Sequence, residues 1–76
     1  MAMENLKISL ETRGRSGKKM TVIRGFTRRF EELEELAGYL KRHCGAGGTV
    51  KGMSLEIQGD AREKIGHLLA LKGFQI

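Results

Sequence analysis

Cysteine and aromatic residues are scarce in this sequence. Its 76 residues hold one cysteine, Cys44, no tryptophan, and only Phe26, Phe30, Tyr39 and Phe74 as aromatic rings among their side chains other than histidine. A lone cysteine excludes an internal disulfide and makes a reducing, cytoplasmic setting the expectation. Nor does it build a zinc site. His43 and Cys44 are neighbours, and neighbours on a helix point about 100° apart rather than toward one ion, while His67 has no cysteine or acidic cluster beside it. Cys44 falls on an apolar stripe and reads as a small core residue. So few rings argue against a base-stacking platform. The longest apolar runs are a few residues, too short for a signal peptide's core or a membrane span. Catalytic constellations are missing too: no Ser/His/Asp, Cys/His or paired-carboxylate set converges, so neither an enzyme nor a cofactor is expected. The run Gly14-Arg-Ser-Gly-Lys18 looks a little like a phosphate-binding P-loop, but its spacing is too short and Lys19 stands where a magnesium-binding hydroxyl belongs.

Positive charge is what the sequence has in excess. The formal net charge is +5, with an isoelectric point near 9.8, which points to an anionic partner such as RNA, DNA or an acidic membrane surface. Residues 1–30 carry a balance of +6, residues 31–44 of −2 and residues 45–76 of +1. The basic first third includes Arg13, Arg15, Lys18, Lys19, Arg28 and Arg29, all expected as RNA-binding residues.

The chain has room for one small domain. Leu6 to Thr12 alternates apolar and polar residues, the pattern of a half-buried strand with Leu6, Ile8 and Leu10 inward. Met20 to Phe26 is a second strand, rich in β-branched residues, whose adjacent Val22 and Ile23 suggest cover on both faces. Between them, Arg13 to Lys19 reads as a glycine-containing loop with four cations, a finger suited to neutralising phosphates. From Phe30 the period becomes 3.6: Phe30, Leu33, Leu36, Ala37, Leu40 and Cys44 share a helical face. Glu31, Glu32, Glu34 and Glu35 load its start and Lys41, Arg42 and His43 its end, complementing the helix dipole. Lys41 and Arg42 fit that role and an RNA-facing role equally well.

The stretch Cys44 to Arg62 joins the pieces. Four of the eleven glycines lie between Gly45 and Gly52. Gly45 is placed to cap the first helix in the left-handed conformation. Thr49-Val-Lys51 and Ser54 to Gln58 form a tight hairpin turning at Gly52, with Leu55 and Ile57 inward and Ser54, Glu56 and Gln58 outward. Asp60-Ala-Arg-Glu63 has the form of a capping box opening a second helix, with Ile65, Leu68 and Leu69 on its apolar side. Gly73 ends that helix and Phe74-Gln-Ile76 could close as a strand. The expected fold is a two-layer α+β sandwich in the order β-β-α-β-β-α(-β), with both helices on one mixed or antiparallel sheet. Residues 1–5 are expected to form a disordered or added N-terminus, and residues 6–76 the single domain.

The ordered set of motifs resembles the translation initiation factor one family, the small start-codon-selection factors of eukaryotes and archaea, and most of all its bacterial, YciH-like branch. The carrying residues are Lys41-Arg-His-Cys-Gly-Ala-Gly-Gly-Thr-Val50, Leu55-Glu-Ile-Gln-Gly-Asp-Ala-Arg62, the basic Arg13-Gly-Arg-Ser-Gly-Lys-Lys19 with Thr21-Val-Ile-Arg-Gly25, and Leu68-Leu-Ala-Leu-Lys-Gly-Phe74. The resemblance spans about residues 6–76. It implies a non-enzymatic factor that binds the small ribosomal subunit through rRNA, near initiator tRNA and mRNA at the decoding site, as a monomer without membrane or small-molecule ligand. It places rRNA contacts on Arg13, Arg15, Lys18 and Lys19, further ones on Lys41 and Arg42, and matches Asp60 and Arg62 to the family's Gly-Asp-x-Arg motif. Lys51 and Arg62 are the contributors expected from the glycine-rich stretch. Bacterial members usually carry longer ends, and their expected role extends to stress-time modulation of translation. The competing reading is a protein-interaction adaptor that uses the acidic helix face, with the basic charge incidental.

Overall fold

Strand pairing follows the alternation read from the sequence. In the computed structural model, which describes residues 5–14 and 17–75, the chain runs β1 (Lys7–Arg13), β2 (Lys18–Arg24), α1 (Phe30–Cys44), β3 (Gly48–Lys51), β4 (Ser54–Gln58) and α2 (Arg62–Leu71). The four strands form one antiparallel sheet in the order β1-β2-β4-β3. Residues opposite one another share a face. Ile8, Ile23, Leu55 and Val50 therefore line up beneath the helices, and so do Leu10, Thr21, Ile57 and Gly48. Both helices cover this face, α1 over β3 and β4 and α2 toward β1. The core joins Leu6, Ile23 and Phe26 to Leu33, Leu36 and Leu40 of α1 and to Ile65, Leu68 and Leu69 of α2, with Cys44 packed at its edge.

The two-layer α+β sandwich and its element order match the sequence reading, with three local differences. The closing strand is reduced to a parallel bridge between Asn5 and Gln75, in which the Leu6 amide donates to the Gln75 carbonyl. Phe30, expected on the apolar face, is 54% exposed, because α1 begins at that residue and its first turn overhangs the core. The second helix is not capped by Asp60. It starts at Arg62 with Ala61 as N-cap, and the Asp60 carboxylate takes the Arg62 guanidinium at 2.9 and 3.0 Å and, at 3.4 Å, the Arg62 amide. The helix start is held from the sheet: buried Thr21 donates its hydroxyl to the Gly59 carbonyl (2.7 Å) and accepts the Ala61 amide (2.9 Å).

The glycine stretch behaves as its sequence implies. Gly45 caps α1 with φ 62°, and the Ala46 amide donates back to the Lys41 carbonyl. Gly48 is required by close approach: a Cβ there would lie 2.5 Å from the Glu56 carbonyl oxygen and 2.7 Å from Ile57 Cδ1.

Candidate nucleic-acid interface

The first hairpin is longer than the sheet that supports it. The β1–β2 ladder continues to Thr12↔Lys19 and Arg13↔Lys18, whereas β4 pairs with β2 only from Met20 to Ile23. Two residue pairs therefore overhang, roughly 7 Å of strand. The seven-residue loop expected from the sequence shrinks to residues 14–17, with Arg13, Lys18 and Lys19 inside the ladder. Arg15 lies outside the described residues. The root of the overhang is tied to the segment before α2, where the Gly59 amide donates to the Lys19 carbonyl at 2.8 Å.

The sheet face away from the helices carries most of the remaining charge. Period-two alternation places Lys7, Ser9, Glu11 and Arg13 there, opposite Arg24, Val22, Met20 and Lys18, and then Glu56 and Thr49. Arg13 reaches from edge strand β1 across β2. It donates to Glu11 at 2.7 Å on its own strand and pairs with Glu56 at 2.8 Å on β4. Arg24 closes on Glu11 at 2.7 Å, and Lys51 approaches Glu56 at 3.8 Å. This chain of alternating charge roofs Val22, which is buried although it faces away from the helices. The Arg24 and Arg13 guanidiniums hold the Glu11 carboxyl below its ordinary range, and Glu11, then Glu56, raises Arg13.

Glu56 is the feature that sequence reasoning missed. Its strand position is outward, as expected, yet the residue is 4% exposed. The signal was available only jointly: two carboxylates, Glu11 and Glu56, alternate among five cations on one face, and the strand pairing that shows this is long-range.

The other candidate residues divide clearly. Arg62 is held by Asp60 through two guanidinium contacts of 2.9 and 3.0 Å, which raise Arg62 and lower Asp60. Arg28 pairs with Glu32 at 3.4 Å and stacks over the Phe74 ring at 4.8 Å. Arg29 is the N-cap of α1, and its amide donates to Glu32. Lys18, Lys19, Lys41 and Arg42 form no ion pair within 4 Å among the described residues. The backbone at the end of α1 leads through Gly47, whose carbonyl accepts the Gln58 amide, to the strand end beside Met20. Arg28 and Arg29 precede α1, whose 15 residues rise about 22 Å, yet the Arg42 side chain turns back over Gly38 and lines one hollow with Arg28; Lys51 lies at the far turn of β3–β4. The hairpin root thus gathers Arg13, Lys18 and Lys19, with Arg62 held by Asp60 just beyond Gly59, while Arg42 lies with Arg28 along α1 and Lys51 at the far turn.

Among the described residues no cluster of His, Cys, Asp and Glu could hold a metal ion, and no helix is long and apolar enough to cross a membrane. What the site offers is exposed, unpaired positive charge on an overhanging hairpin, beside a face whose charges are already paired.

A small two-layer α+β domain with this basic hairpin is the class that fold and surface define. The family model described as Translation initiation factor SUI1 matches residues 2–75, and the chain belongs to that family. A protein of Methanocaldococcus jannaschii named as a protein translation factor SUI1 homolog is 45% identical over 75 residues, covering 97% of this chain and 73% of its own length. A Haemophilus influenzae protein without an assigned function is 44% identical over 71 residues, covering 93% and 67% respectively. The Escherichia coli K12 protein YciH is 42% identical over 71 residues, covering 93% and 66%. The chain thus spans about two thirds to three quarters of the length of these relatives.

Proposed function

We propose that this protein is a non-enzymatic translation initiation factor that binds the small ribosomal subunit through rRNA. In this reading it modulates initiation by influencing start-site fidelity or subunit joining. Membership of the SUI1 family over nearly the whole chain carries the reading. The surface supports the rRNA part. Lys18 and Lys19 are exposed on an overhang that adds nothing to the core, and like charges gathered there are unfavourable for the isolated fold unless an anion meets them. The hairpin docks by replacing phosphate counterions, Lys41 and Arg42 extend the contact, and the rigid sandwich then occupies space beside the decoding site, where initiator tRNA and mRNA meet.

Co-sedimentation with small subunits over a salt series tests this. Each lysine that neutralises a phosphate contributes about 0.7–0.9 to the slope of log affinity against log salt. The double variant Lys18→Ala, Lys19→Ala should therefore lower the slope by about 1.5 and weaken binding at moderate salt about tenfold. Wild-type affinity and slope in that variant would show that the hairpin is not the docking element.

A further inference from the structure

A hollow at the root of the overhang differs chemically from the surface around it. It measures about 540 Å³, within the roughly 300–1,000 Å³ range of small-ligand sites. Met20 and Gln58, opposite one another across β2 and β4, form its floor, and Arg13, Gly14, Gly59, Lys18 and Lys19 complete the lining. Of its polar groups Arg13 is engaged by Glu11 and Glu56, while three others have no partner among the described residues. Among the described residues the Gln58 carboxamide makes no hydrogen bond and Lys18 and Lys19 make no ion pair, whereas Arg13 within the lining and nearby Arg62 are held by carboxylates. Gly47 leaves the carboxamide room, since a Cβ there would come within 3.3 Å of Gln58 Oε1.

A phosphate alone would use the lysines and leave the rest idle. A thioether between two glycine backbones suits the face of a flat ring. A carboxamide presents a donor and an acceptor side by side, the pattern that pairs bidentately with a base edge. Lys18 and Lys19 project to opposite faces of their strand and can meet the phosphates on either side of one nucleotide. Within a duplex the base faces are stacked and the edges paired, so only an unpaired nucleotide offers both.

We propose that this hollow seats one unpaired nucleotide of RNA, with the base on Met20, its edge on the Gln58 carboxamide and the flanking phosphates on Lys18 and Lys19. The proposal rests on the RNA-binding reading above and adds to it a preference for single-stranded or bulged RNA.

The test titrates the protein with a single-stranded hexa-adenylate and, separately, with a blunt 12-base-pair RNA duplex, following the Met20 methyl and Gln58 side-chain amide signals by NMR. Met53, at the far β3–β4 turn, serves as the internal control. The hexamer should shift both Met20 and Gln58, and the duplex neither. Gln58→Ala should weaken hexamer binding about fivefold, at the low end for loss of a base-edge contact, and change duplex binding less than twofold. Gln58 is exposed, so an unchanged melting temperature would show that the variant is folded. An unchanged hexamer affinity in Gln58→Ala, or equal Met20 shifts with both RNAs, would overturn the nucleotide seat while leaving salt-dependent docking through Lys18 and Lys19 intact. If the wild-type protein bound neither these RNAs nor small subunits, both readings would fall.

Discussion

The open face of the sheet and the overhanging end of its first hairpin are built from the same residue types and put them to opposite uses. On the face, Glu11 and Glu56 alternate with Arg13, Arg24 and Lys51. A guanidinium that spans two carboxylates from different strands makes a roof over Val22, and its charge is largely answered within the protein. At the overhang, two pairs further along the same ladder, Lys18 and Lys19 meet no carboxylate within 4 Å among the described residues. One region makes charge structural and the other leaves it available. Sequence counting alone assigns Arg13 to the finger with Lys18 and Lys19; the pairing shows that it is the hinge between the two regimes.

Three experiments would break or sharpen that contrast. The largest effect is expected from Glu56→Ala. It leaves the Arg13 and Lys51 cations facing each other over the sheet without their shared buried carboxylate, and should cost about 2 kcal/mol of unfolding free energy, below the full penalty for a buried pair because both partners are partly exposed. Urea denaturation measures it. The same measurement on Lys18→Ala, Lys19→Ala should show no appreciable loss, and a large one would mean that the overhang is structural after all.

A somewhat smaller effect is expected from Thr21→Val, which keeps the shape but removes the hydroxyl that serves both the Gly59 carbonyl and the Ala61 amide. The expected cost is about 1–1.5 kcal/mol. Asp60→Ala should cost less, because the exposed Asp60 carboxylate serves chiefly to hold Arg62. The reverse ranking would restore Asp60 as the helix cap and detach the hairpin strand from α2.

The smallest effect concerns acid. The Glu11 carboxyl is held below its ordinary 4.5, first by Arg24 and then by Arg13. A carboxyl with a depressed folded pKa stabilises the fold above its unfolded value, and that contribution fades as pH falls through the folded value. Glu11→Gln should therefore lower the melting temperature slightly at pH 7, and the gap to wild type should narrow as the pH falls below the ordinary 4.5 and through the depressed folded value. A gap that persisted at the same size at pH 2.5 would show that the roof is held by packing rather than by charge.

Much of the fold was legible because its signals are local. The switch from period two to period 3.6 at Phe30, the dipole-matched charges of α1 and the glycines at 45 and 52 each act over a few residues. The adjacency of Val22 and Ile23 even announced that both faces of β2 are covered. What stayed hidden depends on strand order. Asp60-Ala-Arg-Glu63 has the form of a capping box, but Thr21, far away in sequence, takes the Ala61 amide at 2.9 Å, and Asp60 only the Arg62 amide at 3.4 Å. Outward-facing Glu56 looked solvated until β2 and β4 were set side by side. Of the candidate interface, the basic hairpin was visible as composition. That Arg13 and Arg62 are engaged while Lys18, Lys19, Lys41 and Arg42 form no such pairs is a property of the fold.

The bond from the Gly59 amide to the Lys19 carbonyl, followed two residues later by the Thr21 hydroxyl, has a mechanical consequence. The hairpin is a cantilever clamped at its root to the segment that opens α2. The strand that carries Lys18 and Lys19 and the helix on the other layer of the sandwich thus share one anchorage, at residues 59–61.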